Sequence, residues 1–150
     1  MSDLITTILD RLAGLVDGHV FDDPAPLGGT TVPILHAHAL PVAETAEEKG
    51  EQVPYIVARI MGLDQDASGG LVYQVRLIAE LYTHQGVAEG MADLLRLRGL
   101  LAPLALRGPG NLAGYKVLAP VVWRLGEAET GNQPHPFYNL TADLRIAAAG

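Results

Sequence analysis

Apolar and polar positions alternate along this chain with two different periods, and each period predicts one class of element. In "SDLITTILDRLAGLVDG", near the start of the sequence, apolar residues recur every three or four positions, as on one side of a helix. Ser2 is a suitable N-cap for this helix, and Gly18 is suited to end it. The predicted apolar stripe consists of Leu4, Ile5, Ile8, Leu9, Leu12, Leu15 and Val16.

The second half of the chain alternates with period two, which is typical of half-buried strands. The run "LVYQVRLIAELY" places Leu71, Tyr73, Val75, Leu77, Ala79 and Leu81 on one face. The run "FYNLTADLRIAA" places Leu140, Ala142, Leu144 and Ile146 inward. Further strands are predicted at residues 53–62, in "YKVLAPVVWRL", and at residues 32–38, and the turn-rich "LDQDASGG" predicts a hairpin connection.

A second helix is predicted in "GVAEGMADLLRLRG", with Val87, Met91, Leu94 and Leu95 as its apolar stripe and Glu89, Asp93 and Arg96 towards water. The order helix, strands, helix, strands lacks regular βαβ alternation. It therefore predicts an α+β fold with a mainly antiparallel sheet and two helices packed on one face. A length of 150 residues fits a single domain over residues 1–150.

Composition narrows the classes of function. Apolar residues make up 49% of the chain and charged residues only 18%, so we expect part of the apolar surface to be covered by partners. The net charge of −7, with basic residues scattered along the sequence, argues against binding nucleic acid through phosphate neutralisation. The absence of cysteine excludes disulfides and thiolate chemistry. No apolar run approaches the roughly 20 residues of a membrane span, and no basic leader opens the sequence, which predicts a soluble protein made inside the cell.

One segment, residues 42–52, has little to bury. It reads "VAETAEEKGEQ", and its four glutamates, Glu44, Glu47, Glu48 and Glu51, have no evident partners in the sequence. Because like charges repel and long loops inside compact domains are unusual, we expect a flexible acidic loop here.

The search for catalytic or metal-binding motifs yields one weak candidate. "HAH" places His36 and His38 on the same strand face, a spacing compatible with metal binding, although His84 or His135 would have to join them. No glycine-rich phosphate motif and no G-x-S-x-G elbow occurs. The sequence therefore predicts a protein that is not an enzyme and needs no cofactor. A small metal- or ligand-binding enzyme using His36 and His38 remains the alternative of a different class.

Five segments, in order, resemble the tail terminator proteins of long-tailed bacteriophages and related prophages. They read "QVPYIVARIMG", "LVYQVRLIAELYT", "GVAEGMADLLRLRG", "VLAPVVWRLGE" and "NQPHPFYNLTADLRI", and they lie within residues 52–147. In that family a "PYIVxR" strand precedes a hairpin and a long strand, then a helix, a strand with a tryptophan, and a "QPxP" corner before the last strand. The N-terminal helix also fits this pattern.

The resemblance implies a structural virion protein. Such a protein forms a ring, typically hexameric, on the head-proximal end of the tail tube, stops tube polymerisation and joins the tail to the neck. The implied partners are further copies of the chain, the tail tube protein and the neck or head-completion proteins. DNA passes through the lumen without specific binding, and no membrane is involved. The implied location is the virion tail, after synthesis in the host bacterial cytoplasm; another neck or tail-completion protein of the same fold is the nearest alternative.

Two groups of residues are candidates for the subunit or tube interface. The first surrounds Arg98 in the second helix and consists of the leucines Leu97, Leu100, Leu101 and Leu104, which could equally belong to the core. The second is the corner Gln133, Pro134 and Pro136, followed by Phe137. Because two prolines restrict φ there, the corner predicts a defined register for the last strand and a docking edge beside it.

Overall fold

The computed structural model describes residues 2–22, 30–39, 54–65, 69–82, 87–105, 112–127 and 137–148. Its two α-helices are α1 (Ser2–Val16) and α2 (Val87–Leu101), and a short 3-10 turn (Ala102–Ala105) follows α2. Its strands are β1 (Phe21–Asp22), β2 (Thr30–Thr31), β3 (Ile34–Ala37), β4 (Tyr55–Gln65), β5 (Leu71–Tyr82), β6 (Tyr115–Glu127) and β7 (Phe137–Ala148). The predicted elements are all present, with β4 three residues longer than predicted at its C-terminal end, so the connection after it is correspondingly shorter.

Five of these strands form one sheet in the order β3-β4-β5-β7-β6. The pairs β4–β5, β5–β7 and β7–β6 are antiparallel, whereas β3 runs parallel to β4. Strands β1 and β2 form a separate antiparallel ribbon. The predicted α+β class with a mainly antiparallel sheet is therefore confirmed.

Both helices pack on the same face of the sheet. Helix α1 lies against β3 and β4, and α2 lies against β5 and β7. Most of the strand residues predicted from alternation to face inward are in the core, including Val75 and Leu77 in β5 and Leu140 and Leu144 in β7. Leu71 is the exception, because it lies at the start of β5 and is 48% exposed. These side chains and the helix stripes form one hydrophobic core, and removing them from water stabilises the fold by roughly 1.5–3 kcal/mol for each large side chain.

Helix α1 follows its sequence pattern closely. Leu4, Ile8 and Leu12 are fully buried, and Leu9 and Leu15 pack half-buried against the same core. The helix ends at Val16, and Gly18 follows with a φ of 74°, in the left-handed region that glycine adopts without strain. Next to it, the His19 amide donates a hydrogen bond of 2.9 Å to the Val16 carbonyl. Neither described helix is long and apolar enough to cross a membrane.

Helix α2 buries a different stripe from the predicted one. Leu95 is 58% exposed, whereas Leu97 and Leu101 join Leu94 in the core. The reason is the contact at Gly90, where α2 approaches the ring of Tyr138 so closely that a Cβ atom would lie 2.5 Å from ring carbons. Positions 90, 94, 97 and 101 share one side of a helix, so this contact turns Leu95 towards solvent.

Two register shifts interrupt the ladders. One lies between Ile60 and Gly62 in β4, and the other lies between Leu118 and Val122 in the edge strand β6. Pro120 falls within the second shift, where its missing amide hydrogen costs no ladder hydrogen bond. Such bulges bend a strand locally and redirect its side chains.

Candidate interaction surface

The side of the sheet opposite the helices, here called the open face, carries most of the charged side chains of the central strands together with buried apolar residues such as Val57 and Val72. Cross-strand partners point to the same face, so the register assigns Arg59, Arg76 and Asp143 to it, in one row across β4, β5 and β7. The adjacent rows add Gln74, Arg145, Thr141 and Arg124. Gln74, Arg124 and Arg145 are exposed, so the centre of this face is accessible to solvent.

Asp143 joins two arginines from the neighbouring strands. The Arg76 Nε donates to Asp143 Oδ1 at 2.7 Å, and Arg76 Nη2 donates to Oδ2 at 3.2 Å. From the other side, Arg124 Nη1 donates to Oδ2 at 2.5 Å. The carboxylate therefore holds two guanidinium groups in place. Because these side chains are partly exposed, such pairs contribute only about 0–1 kcal/mol each to stability.

These contacts also set the charge states. Hydrogen bonds from Arg76 lower the pKa of Asp143, and Arg124 acts in the same direction, while partial burial opposes them. The hydrogen bond and the charge of Asp143 in turn raise the pKa of Arg76. Asp143 and Arg76 are thus both ionised at neutral pH.

A depression of about 520 Å³ lies beside the cluster. Its lining combines Arg76, Asp143 and Arg145 with the apolar side chains of Met61 and Val122. Met61 is 48% exposed and Val122 is 43% exposed. Arginine and methionine side chains are enriched in protein–protein interfaces, and both types line this depression.

The open face carries more basic than acidic residues among those described, although the whole chain is acidic. Of the 10 basic residues in the sequence, five lie on this face, namely Arg59, Arg76, Lys116, Arg124 and Arg145. It also carries three acidic residues, Asp64, Glu80 and Asp143. The chain as a whole has 17 acidic residues and a net charge of −7. The sequence showed basic residues scattered along the chain, and the sheet brings half of them together.

At one end of the open face, Tyr55 and Glu80 form a buried pair. They are cross-strand partners, each less than a tenth exposed, and the Tyr55 hydroxyl donates to Glu80 Oε1 at 2.8 Å. Burial raises the pKa of Tyr55 strongly, and the charge and hydrogen bond of Glu80 add to this effect. Tyr55 therefore remains a protonated donor, and its side-chain hydrogen bond to Glu80 links β4 to β5.

The leucines predicted as an interface belong instead to the core. Leu97, Leu101 and Leu104 are at most 1% exposed, and Leu100 is half-buried against the same core. The interpretation of these leucines as a surface patch is therefore wrong for the isolated chain, because α2 and the following 3-10 turn direct them at the sheet. Arg98 is exposed, and its guanidinium carbon lies 5.2 Å from the centre of the Trp123 ring, a cation–π distance.

The other predicted site residues are only partly described. Phe137 begins β7 as the cross-strand partner of Tyr82. Gln133, Pro134 and Pro136 lie outside the described residues, so the docking role of that corner stays a prediction. The flexible acidic loop also stays a prediction. Its four glutamates, Glu44, Glu47, Glu48 and Glu51, lie outside the described residues.

The histidine pair lies at the edge of the sheet. His36 is in β3, with its ring edge-on to Tyr55 at 6.5 Å between centroids. His38 follows the strand at a φ of 71°, and its backbone is held by Ala58 and by the Arg59 side chain, at 2.8 Å and 2.7 Å. Within the described ranges, no group of three or more His, Asp or Glu residues could hold a metal ion. His84 and His135, the two further ligands considered, lie outside those ranges.

Comparison with known proteins adds no relative to this picture: no protein-family model matches the chain, and no curated protein is significantly similar to it. The polar alternation in "YQVRL" and "TADLRI" already indicated that Arg76, Asp143 and Arg145 point away from the core. The sequence pattern does not predict that these three side chains lie close together, because that depends on the strand order.

Proposed function

We propose that this protein is a tail terminator, a structural virion protein that forms a ring on the head-proximal end of a phage tail tube. In this role six copies cap the tube, stop its polymerisation and offer the surface that joins the neck. The function is binding, without catalysis or a cofactor. The protein is made in the host cytoplasm and resides in the virion, where DNA passes through the ring without specific binding.

The observation that supports this proposal is the correspondence between the resembling segments and the elements of the fold. The five segments contain or overlap β4, β5, α2, β6 and β7 in turn, so they account for four of the five strands of the sheet and for one of the helices on it. An α+β domain with a mainly antiparallel sheet and both helices on one side is the architecture that the resemblance implies.

The surface chemistry agrees with an assembly protein. A closed ring built from identical subunits needs two different patches on each subunit, because its contacts are heterologous. The open face supplies one exposed patch with charged and apolar side chains side by side. On the helix side, exposed Arg98 beside Trp123 is a second and separate candidate, which we assign to the tail tube.

Loss of the protein tests this function directly. Lysates of a phage that lacks the gene should contain tails of abnormal length together with DNA-filled heads that cannot join them. Purified protein added to such lysates should cap tubes in trans, because binding at a tube end needs no energy source. Normal tail lengths and normal joining in the deletion lysate would refute the proposal. Tails of normal length with unjoined heads would instead favour the alternative, another neck or tail-completion protein.

A single substitution tests whether Arg98 contacts the tail tube. Arg98→Glu should leave folding intact, because the side chain is exposed, yet it should reduce capping in the add-back experiment. Arg98→Lys is the matched control, since it retains the positive charge next to Trp123. Equal capping by both variants would remove Arg98 from the tube interface.

A further inference from the structure

We propose that the depression on the open face binds an acidic, partly apolar segment of a partner protein, with Arg145 as the main anchor for a partner carboxylate. The site consists of residues of this chain alone, so the proposal goes beyond the tail-terminator function and does not depend on it. The shape of the depression, the excess of arginine around it and the apolar residues at its rim each support this assignment.

The depression lies between the two register shifts of the sheet. On one side it is bordered by Met61, in the register shift of β4, and on the other side by Pro120, in the shift of β6. Bulges bend their strands and are over-represented next to active sites. Two of them flanking one floor give the sheet a hollow of about 520 Å³, a usual size for a ligand pocket. The floor consists of three consecutive cross-strand pairs of β5 and β7, namely Gln74–Arg145, Val75–Leu144 and Arg76–Asp143.

Positive charge exceeds negative charge in and beside the depression. Three arginines, Arg76, Arg124 and Arg145, lie in the rows around the carboxylate of Asp143. A second carboxylate, Asp64, lies in the neighbouring row and accepts a hydrogen bond from the Gln74 side-chain amide. Even with both carboxylates counted, the arginines leave an excess of positive charge. This part of the face therefore attracts an anionic group of a partner.

Arg145 is the side chain that offers this charge most directly. It is exposed, and it makes no ion pair with any described residue. On the neighbouring strand, Arg76 is held by Asp143 through Nε and Nη2, which leaves part of its five N–H donors for a ligand. Arginine binds carboxylates through paired, charge-assisted hydrogen bonds. Because Arg76 is ordered before a partner arrives, binding costs less conformational entropy.

The apolar rim favours a protein segment over a nucleic acid. Met61 is 48% exposed and Val122 is 43% exposed, and both line the depression. An apolar side chain next to the partner carboxylate is buried against them, whereas a sugar–phosphate backbone offers no such group. A long polyanion also meets the whole chain, whose net charge is −7. A short acidic segment meets mainly the local arginines, because charges more than about 10 Å apart are largely screened at 0.1 M salt.

Binding of a labelled peptide to the purified chain tests the site by fluorescence anisotropy. The probe is a short fluorescein-labelled peptide in which glutamate alternates with leucine. The same peptide with glutamine in place of glutamate should bind about tenfold more weakly or less, because it lacks the charge that Arg145 pairs with. The dissociation constant of the glutamate peptide should rise as NaCl is raised from about 0.05 to 1 M, because salt screens the attraction.

Substitutions locate the contact. Arg145→Glu should weaken binding of the glutamate peptide by about tenfold or more, and Arg145→Ala should weaken it less. Met61→Ser should weaken it about threefold, because a leucine of the peptide loses an apolar contact. Arg98→Glu is the matched control. It changes the net charge as much as Arg145→Glu does, but its side chain lies beside Trp123 on the helix side, so the affinity should remain that of the wild type. Circular dichroism checks that all variants are folded.

Three results would overturn the inference. The first is a wild-type chain that does not bind the glutamate peptide. The second is an equal loss of affinity in Arg98→Glu and Arg145→Glu, because the attraction would then not be local to the depression. The third is an oligothymidylate of the same charge that binds more tightly than the peptide and loses affinity in Arg145→Glu. The deletion lysate reports on tail capping independently, so peptide binding that depends on Arg145 together with normal tails would support the site and refute the function.

Discussion

Arg76 and Leu77 are adjacent in β5, yet their side chains lie in opposite environments. Leu77 faces the helices and is 2% exposed, in a layer where its cross-strand neighbour Ala142 is 1% exposed. The Arg76 side chain faces away and is 37% exposed, and its partner Asp143 is 29% exposed. The same backbone thus carries one face that is closed to solvent and one face that is partly open to solvent.

The two faces differ in what they contribute. Each large apolar side chain on the covered face contributes roughly 1.5–3 kcal/mol of hydrophobic stabilisation. Each ion pair on the open face contributes about 0–1 kcal/mol, because both groups remain partly hydrated. Stability therefore resides mainly on the covered face, and charge on the open face remains available for binding. Three substitutions test this division.

The largest effect is expected from Leu77→Asp. This change places a carboxylate in the apolar layer, where no described side chain could pair with it, and we expect the chain not to fold. The matched control is Thr141→Asp, which introduces the same group on the open face of β7, opposite Arg124. Circular dichroism during thermal unfolding should show a near-normal transition for Thr141→Asp only. A soluble Leu77→Asp protein with wild-type unfolding would contradict the assignment of the faces.

An intermediate effect is expected from Gly90→Ala, which tests how closely α2 packs on the covered face. The added methyl group would overlap the ring of Tyr138, which is fully buried and has little room to move. We expect a loss of about 1–3 kcal/mol in the free energy of unfolding, as for other overpacked cores.

Gly99→Ala in the same helix is the control for Gly90→Ala. Nothing lies within 4 Å of the Cβ position at Gly99, and the residue is exposed. Alanine is the better helix former, so this variant should gain up to about 0.5–1 kcal/mol. Urea denaturation of the two variants gives both values. The same sign for both would contradict the close packing of α2 on Tyr138.

The smallest effect is expected from Asp143→Asn on the open face. The neutral side chain loses its charge interaction with Arg76 and Arg124, so we expect a loss of about 0.5–1 kcal/mol at neutral pH. The pKa of Asp143 is lowered in the folded state, so its ionised form adds stability above the carboxyl's ordinary pKa of 3.8. This stability is lost as the pH falls through the lowered value.

Urea denaturation at several pH values tests this pH dependence. The wild type and Asp143→Asn should differ at pH 7 and converge at the acidic end of the range. A difference that is independent of pH would show that the carboxylate charge is not what Asp143 contributes.

The sequence by itself determined the elements whose pattern is strictly periodic. Helix α1 has a continuous apolar stripe and β7 alternates without interruption, so their buried residues follow from local geometry alone. In β5 the alternation is less complete, because Leu71 is 48% exposed whereas Val72 and Glu80 on the other face are buried. The fold class followed in turn, because the order of these elements permits a mainly antiparallel sheet with helices on one side. Such patterns are properties of a single segment, and no distant contact is needed to interpret them.

Only the tertiary structure decided which side of α2 is buried and where the charges of the sheet meet. Helix α2 has leucines at positions 94, 95, 97, 100 and 101, almost all round its axis, so its local pattern was ambiguous until the contact of Gly90 with Tyr138 selected one side. Arg76, Arg124 and Asp143 are far apart in the sequence and meet because β7 lies between β5 and β6. Strand order is a property of the whole chain, since it is set by which apolar faces can be buried together, and the candidate binding surface depends on it.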